Sequence, residues 1–454
     1  MMQFASKISK YKLKAGIILP SALIILFLTA MKFQYADPPS VSWDEIKKLE
    51  GGEAHQGRWE MNDSDFRYVD DPSVAVHDDG HTAVVWADQE EQNIFLQVFE
   101  PDGEERFSDA INVSQQGEKF SWLPRLKFNP ENPDEIYVLW QEIIFSGGSH
   151  GGEILFSKSD DGGRNFNEPQ NLSNTPKGAG KGRLSQRLWD NGSLDLTVGP
   201  DGQIYTVWSE YEGDLRFSKS TDGGESFSEP ETLASDDEAG PARGPSITTD
   251  ADGEIYIAWS LGEEDTADIH FSHSTDEGSS FESPQPLYES DGHSDAPQVE
   301  GDTRGNLFLV YGEGNGSRQP QYDVMFSRMN NDEQSFSEPK SISRGHSEEF
   351  SSVHYPSVVL DGSDNIYVIW DLFPESGRES LGLGFTASGN GGQTFSEPTT
   401  VPGMGQSQYG MNGSRQGSLM RKMDVNSEGQ IAVVNSTFQA GDASYIWMIN
   451  GLAE

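Results

Sequence analysis

Short apolar runs, each preceded by a polar turn, recur along the chain from about residue 66. Their β-branched and aromatic residues behind Gly, Asp or Asn are typical of a turn that leads into a buried strand. The runs are DDGHTAVVW (78–86), DEIYVLW (134–140), PDGQIYTVW (200–208), ADGEIYIAW (251–259), RGNLFLVY (304–311), SDNIYVIW (363–370) and SEGQIAVV (427–434). The pattern predicts an all-β chain built from repeats.

A second phrase follows most of these runs after a variable loop. It reads ILFSKSDDGGRNFNEP (154–169), LRFSKSTDGGESFSEP (215–230), IHFSHSTDEGSSFESP (269–284), VMFSRMNNDEQSFSEP (324–339) and LGFTASGNGGQTFSEP (383–398), with a weaker copy, LQVFEPDGEERFSDA, at 96–110. The phenylalanines that close the copies, Phe107, Phe166, Phe227, Phe281, Phe336 and Phe395, are 54 to 61 residues apart. A module of this size cannot cover its own apolar faces, so neighbouring copies must pack together.

The core of this phrase, Ser-x-Asp-x-Gly-x-(Ser/Thr)-Phe, resembles the Asp box, or BNR repeat, of the sialidase (neuraminidase) superfamily. It is complete at Ser220, Asp222, Gly224 and Phe227, whereas Asn390 replaces the acid in a later copy. The resemblance covers roughly residues 66–454. It implies a β-propeller whose Asp boxes lie on outer turns, far from a central site.

Counting repeats gives six complete units and a seventh, residues 417–454, that has no Asp box. Since a blade that lacks a strand would expose a sheet edge, the segment around Trp59 is expected to supply the missing outer strand. The prediction is therefore a seven-bladed β-propeller. A six-bladed ring is the alternative, in which the last unit completes the first.

The N-terminus has the pattern of an export segment. Lys7, Lys10, Lys12 and Lys14 precede AGIILPSALIILFLTAM, an uncharged apolar run at 15–31. This predicts one hydrophobic helix in a signal-anchor or transmembrane segment, residues 1–36, with the rest outside the cytoplasm. Cleavage after Ala30 or Ala36 would leave Leu28 or Gln34 at the −3 position, so an uncleaved anchor is favoured over secretion after cleavage. Residues 37–62 read as a linker and 63–454 as the propeller.

Composition excludes several classes of partner. With 31 Lys and Arg against 74 Asp and Glu, the net charge is −43, and no cationic face for nucleic acid is visible. The chain has no cysteine, which excludes disulfides and thiolate chemistry. Acidic loops are compatible with Ca²⁺, but no specific motif supports it, so no cofactor is predicted.

Residues that stand two before a proline opening an inner strand differ from unit to unit. They are Asp70, Trp122, Arg243, Asp295 and His354, ahead of Pro72, Pro124, Pro245, Pro297 and Pro356. In a propeller, the loops that enter the inner strands share one face with the loops that leave the second strands, here called the mouth. Either an asymmetric ligand or loop drift explains the variation. With Arg125 and Tyr355, these residues are the substrate-binding candidates.

A second ring of candidates follows the buried aromatic residue of the second strand. It consists of Asp88, Glu142, Glu210, Glu313 and Asp371. Carboxylates gathered at one mouth would raise one another's pKa and yield the general acid of a glycoside hydrolase. The alternative is that they bond neighbouring amides or lie in water.

Three functions remain open. The first is an exported, membrane-anchored, sialidase-like propeller that binds, and in one version hydrolyses, extracellular glycans. The sialidase resemblance implies three carboxylate-binding arginines, of which only Arg243, in Arg243-Gly244-Pro245, matches the Arg-Ile-Pro motif, and it lies in the fourth unit; no motif position assigns Arg125 or Arg421. The second is a noncatalytic scaffold for envelope proteins, and the third is a polysaccharide lyase using His354 and Tyr355.

Overall fold

The structure is a computed structural model that describes most of the chain beyond residue 36. It covers 37–58, 60, 64–115, 119–143, 152–185, 188–235, 240–263, 267–288, 290, 292–315, 321–331, 333, 335–344, 350–374, 379–404 and 410–454. Every long regular element in these ranges is a β-strand. None of the described residues forms a helix long and apolar enough to span a membrane. The predicted N-terminal hydrophobic helix lies outside the described ranges.

Six blades are antiparallel sheets of four strands in chain order, the first strand innermost. Their strands are Val69–Val76, Thr82–Asp88, Asn93–Phe99 and Ile111–Asn112 in blade one; Phe120–Asn129, Asn132–Ile143, Gly152–Ser159 and Gln170–Asn171 in blade two; Leu194–Val198, Ile204–Ser209, Leu215–Ser220 and Glu231–Ala234 in blade three; Ala242–Thr249, Ile255–Leu261, Asp268–Ser274 and Gln285–Pro286 in blade four; His293–Gly301, Leu307–Gly314, Tyr322–Met329 and Lys340–Ser341 in blade five; and Phe350–Leu360, Ile366–Pro374, Leu383–Ser388 and Thr399–Thr400 in blade six. Two small hairpins pair His55–Gln56 with Phe66–Arg67 and Lys181–Ser185 with Leu188–Asn191; the second is called the insert hairpin below.

The seventh blade closes the ring with strands from both ends of the chain. Met423–Val425, Gln430–Gln439 and Ala443–Ala453 come from the C-terminus, and both Val41–Trp43 and Lys47–Gly52 pair with the last of these. The prediction of seven blades is confirmed, and an N-terminal segment supplies the outer strand as expected. The strands lie at 41–52, however, and Trp59 is outside the described residues. Part of the segment interpreted as a linker thus belongs to the propeller, because it covers the edge of the last sheet.

The core lies between the blades. Seven apolar clusters each join two neighbouring blades and together run around the whole ring. At the junction of blades one and two, for example, Val85 and Leu96 pack with Val138 and Trp140, all fully or almost fully buried. Each blade therefore covers the apolar face of the next, as the module length predicts.

The Ser-x-Asp-x-Gly turns fix the outer ends of the blades through the same set of hydrogen bonds. In blade three, Ser220 Oγ accepts from Gly224 N–H at 2.9 Å and donates to Asp222 Oδ1 at 2.8 Å. Asp222 Oδ1 also accepts from Ser226 N–H at 2.9 Å. The Phe227 ring packs edge-on against Phe156 of blade two, 4.8 Å between centroids. The side chains thus bond turn groups and the ring joins two blades, which is a structural role.

Candidate active site

A repeated backbone bulge shapes the mouth. In five inner strands the residue before the proline has a positive φ of 53° to 59°, namely Asp71, Leu123, Gly244, Ala296 and Tyr355. Pairing with the second strand is interrupted at the same place in each of these blades. Only one of the five is a glycine, so four side chains hold a conformation that costs free energy. Because this strained conformation occurs at the same position in five inner strands, it fixes the direction of the side chain just before it in each of them.

Three of the predicted binding residues come together in blades four to six. Arg243 Nε lies 3.3 Å from Asp295 Oδ1, and His293 Nε2 is 3.4 Å from Asp295 Oδ2. Ser260 Oγ donates to Asp295 Oδ1 at 2.9 Å. Burial alone would raise the pKa of Asp295, but the charge of Arg243 and the hydrogen bond from His293 hold it well below its ordinary value. Asp295 is thus a buried, permanently ionised carboxylate.

Asp190 brings a second carboxyl group to this cluster from the insert hairpin. Asp190 pairs with Gly182 across the hairpin, and a Cβ at Gly182 would lie 2.4 Å from Arg243 Cβ. The glycine therefore lets the hairpin pack directly on Arg243. Burial and the charge of Asp295 together raise the pKa of Asp190 to about 7, although the charges of Arg243 and His293 oppose the shift. Asp190 is therefore placed to exchange a proton near neutral pH.

His354 lies between two tyrosine rings. Its centroid is 3.9 Å from that of Tyr322 and 4.0 Å from that of Tyr355, with interplanar angles of 10° and 25°. Burial lowers the pKa of His354 to about 4, so the imidazole is neutral at pH 7. Burial also raises the pKa of Tyr355, and the charges of Asp190 and Asp295 add to the effect. The Tyr355 phenol consequently stays protonated.

A cavity of about 220 Å³ opens beside Tyr355. It is lined by Tyr355, Asp371, Phe373, Glu379, Ser380, Met411, Ser414, Arg415, Ser418 and Lys422. Lys422 Nζ donates to both oxygens of Asp371, at 3.0 and 2.9 Å, and Ser380 Oγ donates to Asp371 Oδ1 at 2.8 Å. Tyr355 lines this cavity together with Asp371, and the charge of Asp190 contributes to its raised pKa.

The rest of the mouth is covered by residues 410–422, here called the strap. Arg415 N–H donates to Asp70 Oδ2 at 2.7 Å, and Ser414 Oγ donates to Asp71 Oδ1. Arg125 is almost fully buried and donates to backbone carbonyls that include Leu419 O, at 2.5 Å. Asp70 and Arg125, both predicted to bind substrate, therefore hold the strap. Trp122, a third candidate, packs in an apolar cluster with Met420 of the strap.

The five predicted catalytic carboxylates each have a bonding partner among the described residues. Asp88 accepts from the amides of Glu90 and Glu91, at 2.9 and 3.0 Å; Glu142 meets Lys119 at 2.8 Å, Glu210 meets Arg216 at 3.2 Å, and Glu313 accepts from Ser294 at 2.5 Å. Burial raises the pKa of Asp88, and the nearest charges acting on it are Glu91 and Glu90, not the other ring members. Of the five, Asp371 lines the cavity.

Several residues of the site were not foreseen. Asp190 belongs to the insert hairpin and Lys422 to the strap, both outside the repeated blade pattern. Tyr322 begins the third strand of blade five, ahead of the phrase that repeats, so alignment of the units does not bring the three residues together. One signal existed for Asp190: the third unit lacks the proline of the bulge and has extra residues before its inner strand. Among the described residues, no group of three or more Asp, Glu or His side chains is arranged to hold a metal ion.

Comparisons with known proteins show similarity in fold. No protein-family model matches the chain, and no curated protein matches it. The polysaccharide lyase Uly1 is 12% identical with a TM-score of 0.55, over 90% of this chain and 99% of that one. A PL25 ulvan lyase bound to -[GlcA(1-4)Rha3S]- is 11% identical with a TM-score of 0.52, over 88% and 95%. A protein of unknown function from Dyadobacter fermentans DSM 18053 is 11% identical with a TM-score of 0.50, over 90% and 99%.

Proposed function

We propose that the mouth is the active site of a carbohydrate-active enzyme that cleaves a glycosidic bond. The observation that carries the proposal is the pair Asp190 and Asp295, whose pKa values move in opposite directions beside one arginine. Opposite shifts in neighbouring carboxyl groups are the arrangement by which proteins obtain a protonated acid at neutral pH. Asp190 is the proton donor, and Asp295 is a positioning residue whose charge keeps that proton bound.

Hydrolysis is the reaction that these groups favour. Asp190 gives its proton to the glycosidic oxygen as the bond from that oxygen to the anomeric carbon breaks. Water forms the new bond to the anomeric carbon and passes a proton to Asp371, whose two oxygens accept hydrogen bonds from Lys422. Tyr355 lines the same cavity as Asp371, so we expect the sugar to contact it. Each proton is accounted for, and no cofactor is needed.

The class of substrate is supported by chemistry and by likeness of fold. The cavity offers hydroxyl, carboxylate and guanidinium groups rather than an apolar patch, which favours a sugar over a protein-docking scaffold. Two of the solved structures with a similar fold are described as polysaccharide lyases. A sialic acid is not part of the proposal, because Arg125 bonds carbonyls and Arg421 bonds Asp195, leaving no described cluster of three open arginines.

A lyase reaction is the second candidate, favoured by the stacked Tyr322, His354 and Tyr355. In β-elimination, Asp190 in its ionised form would remove the proton next to a uronate carboxyl group. Tyr355, kept protonated by burial, would return a proton to the leaving oxygen. This route uses the same residues but consumes no water.

A screen of the full chain against glycans and chromogenic glycosides tests the proposal. Hydrolysis in ¹⁸O-water incorporates label into the new reducing end, whereas elimination yields an unsaturated product that absorbs ultraviolet light. Replacement of Asp190 by Asn should abolish turnover in either case, with Asp88→Asn as the matched control. Full activity of the Asp190→Asn variant would contradict the assignment.

We also propose that the enzyme acts outside the cell and is held at the membrane. This rests on the lysines at 7–14 and the apolar run at 15–31. Protease digestion of intact cells that express the chain should degrade the propeller, and a propeller protected until the cells are lysed would contradict this location.

A further inference from the structure

Four blade junctions are closed on the outside by the glycine of a Ser-x-Asp-x-Gly turn, in which Asn390 replaces the Asp in blade six. A Cβ on this glycine would lie against a side chain of the preceding blade. The distances are 2.6 Å from Gly163 to Leu96, 2.9 Å from Gly224 to Phe156, 2.7 Å from Gly278 to Phe217 and 2.2 Å from Gly392 to Phe326. At these junctions no space remains between turn and blade.

Blade five breaks this rule. Met329, Asn331 and Glu333 occupy the positions of the Ser, Asp and Gly. Glu333 accepts hydrogen bonds from the backbone and side chain of Asn330, at 3.1 and 2.7 Å, and Asn331 donates to Arg304 O at 2.6 Å. The closing Phe336 still packs edge-on against Phe271 of blade four, 5.2 Å between centroids. Beside this contact, a groove of about 610 Å³ separates blades four and five.

The groove combines aromatic rings with carboxylates. Tyr256 and Phe271 are nearly parallel, 6.0 Å apart with an interplanar angle of 17°, and His273 continues the row. Asp252, Glu254, Glu282 and Glu333 also line the groove, and no Lys or Arg is among its described lining residues. Carboxylates only accept hydrogen bonds, so a fitting ligand must bring donors, and an anionic ligand would be repelled.

We propose that this groove is a second glycan-binding site, specific for a neutral polysaccharide and separate from the mouth. The kind of ligand rests on the proposed function. A neutral sugar places its C–H face on His273 and Phe336, the partly exposed rings of the groove, and donates its hydroxyls to the carboxylates. Tyr256 and Phe271 are buried and form the apolar wall of the groove. The groove shares no lining residue with the mouth cavity.

Affinity gel electrophoresis of the full chain tests the site. The gels contain hydroxyethyl cellulose, galactomannan, arabinan or, as the anionic probe, alginate. The first variant is His273→Ala, and its control is Leu452→Ala, which removes an exposed hydrophobic side chain outside the groove lining. The second variant, Met329→Ser/Asn331→Asp/Glu333→Gly, restores the turn found in the other blades and should close the groove.

Retardation of the wild type by a neutral polysaccharide and not by alginate is expected. His273→Ala should weaken this retardation roughly five- to tenfold, as expected for loss of one aromatic contact, while Leu452→Ala leaves it unchanged. The variant with the restored turn should show no retardation by the neutral polysaccharide and no loss of thermal stability. No retardation by any neutral probe, undiminished retardation of both groove variants, or binding of poly-lysine instead would overturn the proposal.

The groove and the mouth can fail independently. Asp190→Asn should keep its retardation while losing turnover, and the groove variants should keep turnover of short chromogenic glycosides. Retardation without turnover in the wild type would therefore reject the proposed reaction and leave the groove. Turnover without retardation would reject the groove as a glycan site and leave the proposed reaction.

Discussion

Gly312 lies directly against the imidazole of His354. A Cβ at residue 312 would be 2.1 Å from His354 Cδ2 and 2.5 Å from Nε2. The equivalent positions, one residue after the buried aromatic, carry side chains in five other blades: Ala87, Gln141, Ser209, Ser260 and Asp371. Blade five therefore requires a glycine there because the histidine of blade six fills the space of a side chain.

Replacement of Gly312 by Ala should lower the free energy of unfolding by about 1–3 kcal/mol, because the core around His354 is already filled. Urea unfolding measures the effect. In the His354→Ala background the same substitution should cost much less, since the added methyl group then occupies vacated space. An equal loss of unfolding free energy in both backgrounds would show that the His354 imidazole is not the cause.

The pH dependence of activity should follow the protonation of Asp190. Its pKa of about 7 means that the proposed acid is protonated below that pH, so turnover should fall as the pH rises through 7. Asp190→Asn should reduce turnover at least ~100-fold. Initial rates across the pH range measure both effects, and a profile that is flat from pH 5 to 8 would contradict the role.

The same shift has a consequence for stability. Since the folded pKa of Asp190 lies above the ordinary value of 3.8, the folded state holds a proton that the unfolded state releases between these values. The contribution of Asp190 to stability therefore falls as the pH rises from about 4 to 7. Asp190→Asn should raise the melting temperature at pH 8 more than at pH 4, measured by scanning calorimetry.

The ring could be predicted from the sequence because its cause is repeated. Each of the first six units contributes a buried aromatic such as Trp140 or Trp259 and a closing Phe, and those positions fall at the blade junctions. The missing outer strand was also predictable, since an open sheet edge must be covered. Its position was not, because Val41–Trp43 and Lys47–Gly52 resemble no other unit.

The site was harder to predict because it is made where the repeat fails. The position two before the proline includes Arg243, Asp295 and His354, which come together in the structure. Asp70 and Trp122 occupy the same position but contact the strap or its apolar cluster. Long loops determine which half of the mouth stays open. The sequence repeat does not predict the path of these loops.

Lys422 and Asp371 form an ion pair that lines the cavity. Removing only Lys422 should cost more stability than replacing both partners. Both side chains are buried, so Lys422→Met leaves a carboxylate without its cation and should cost about 3–5 kcal/mol in the free energy of unfolding. Lys422→Met combined with Asp371→Leu should recover most of this loss, because no buried charge remains. Urea unfolding at pH 7 measures the cycle. Simple additivity of the two substitutions would contradict direct pairing.

The N-terminal strands should be needed for closure of the ring. Trp43 packs edge-on against Phe385, 5.4 Å between centroids, and Glu454 N–H donates to Ser40 O at 2.9 Å, so these residues join the two ends of the chain. A fragment that starts at residue 53 would leave the edge of Ala443–Ala453 unpaired, whereas a fragment that starts at residue 37 keeps both strands. We expect the shorter fragment to lose roughly 3 kcal/mol or more of stability and to self-associate through the open edge. Thermal unfolding and light scattering compare the two fragments, and equal melting temperatures with both fragments monomeric would show that the ring closes without these strands.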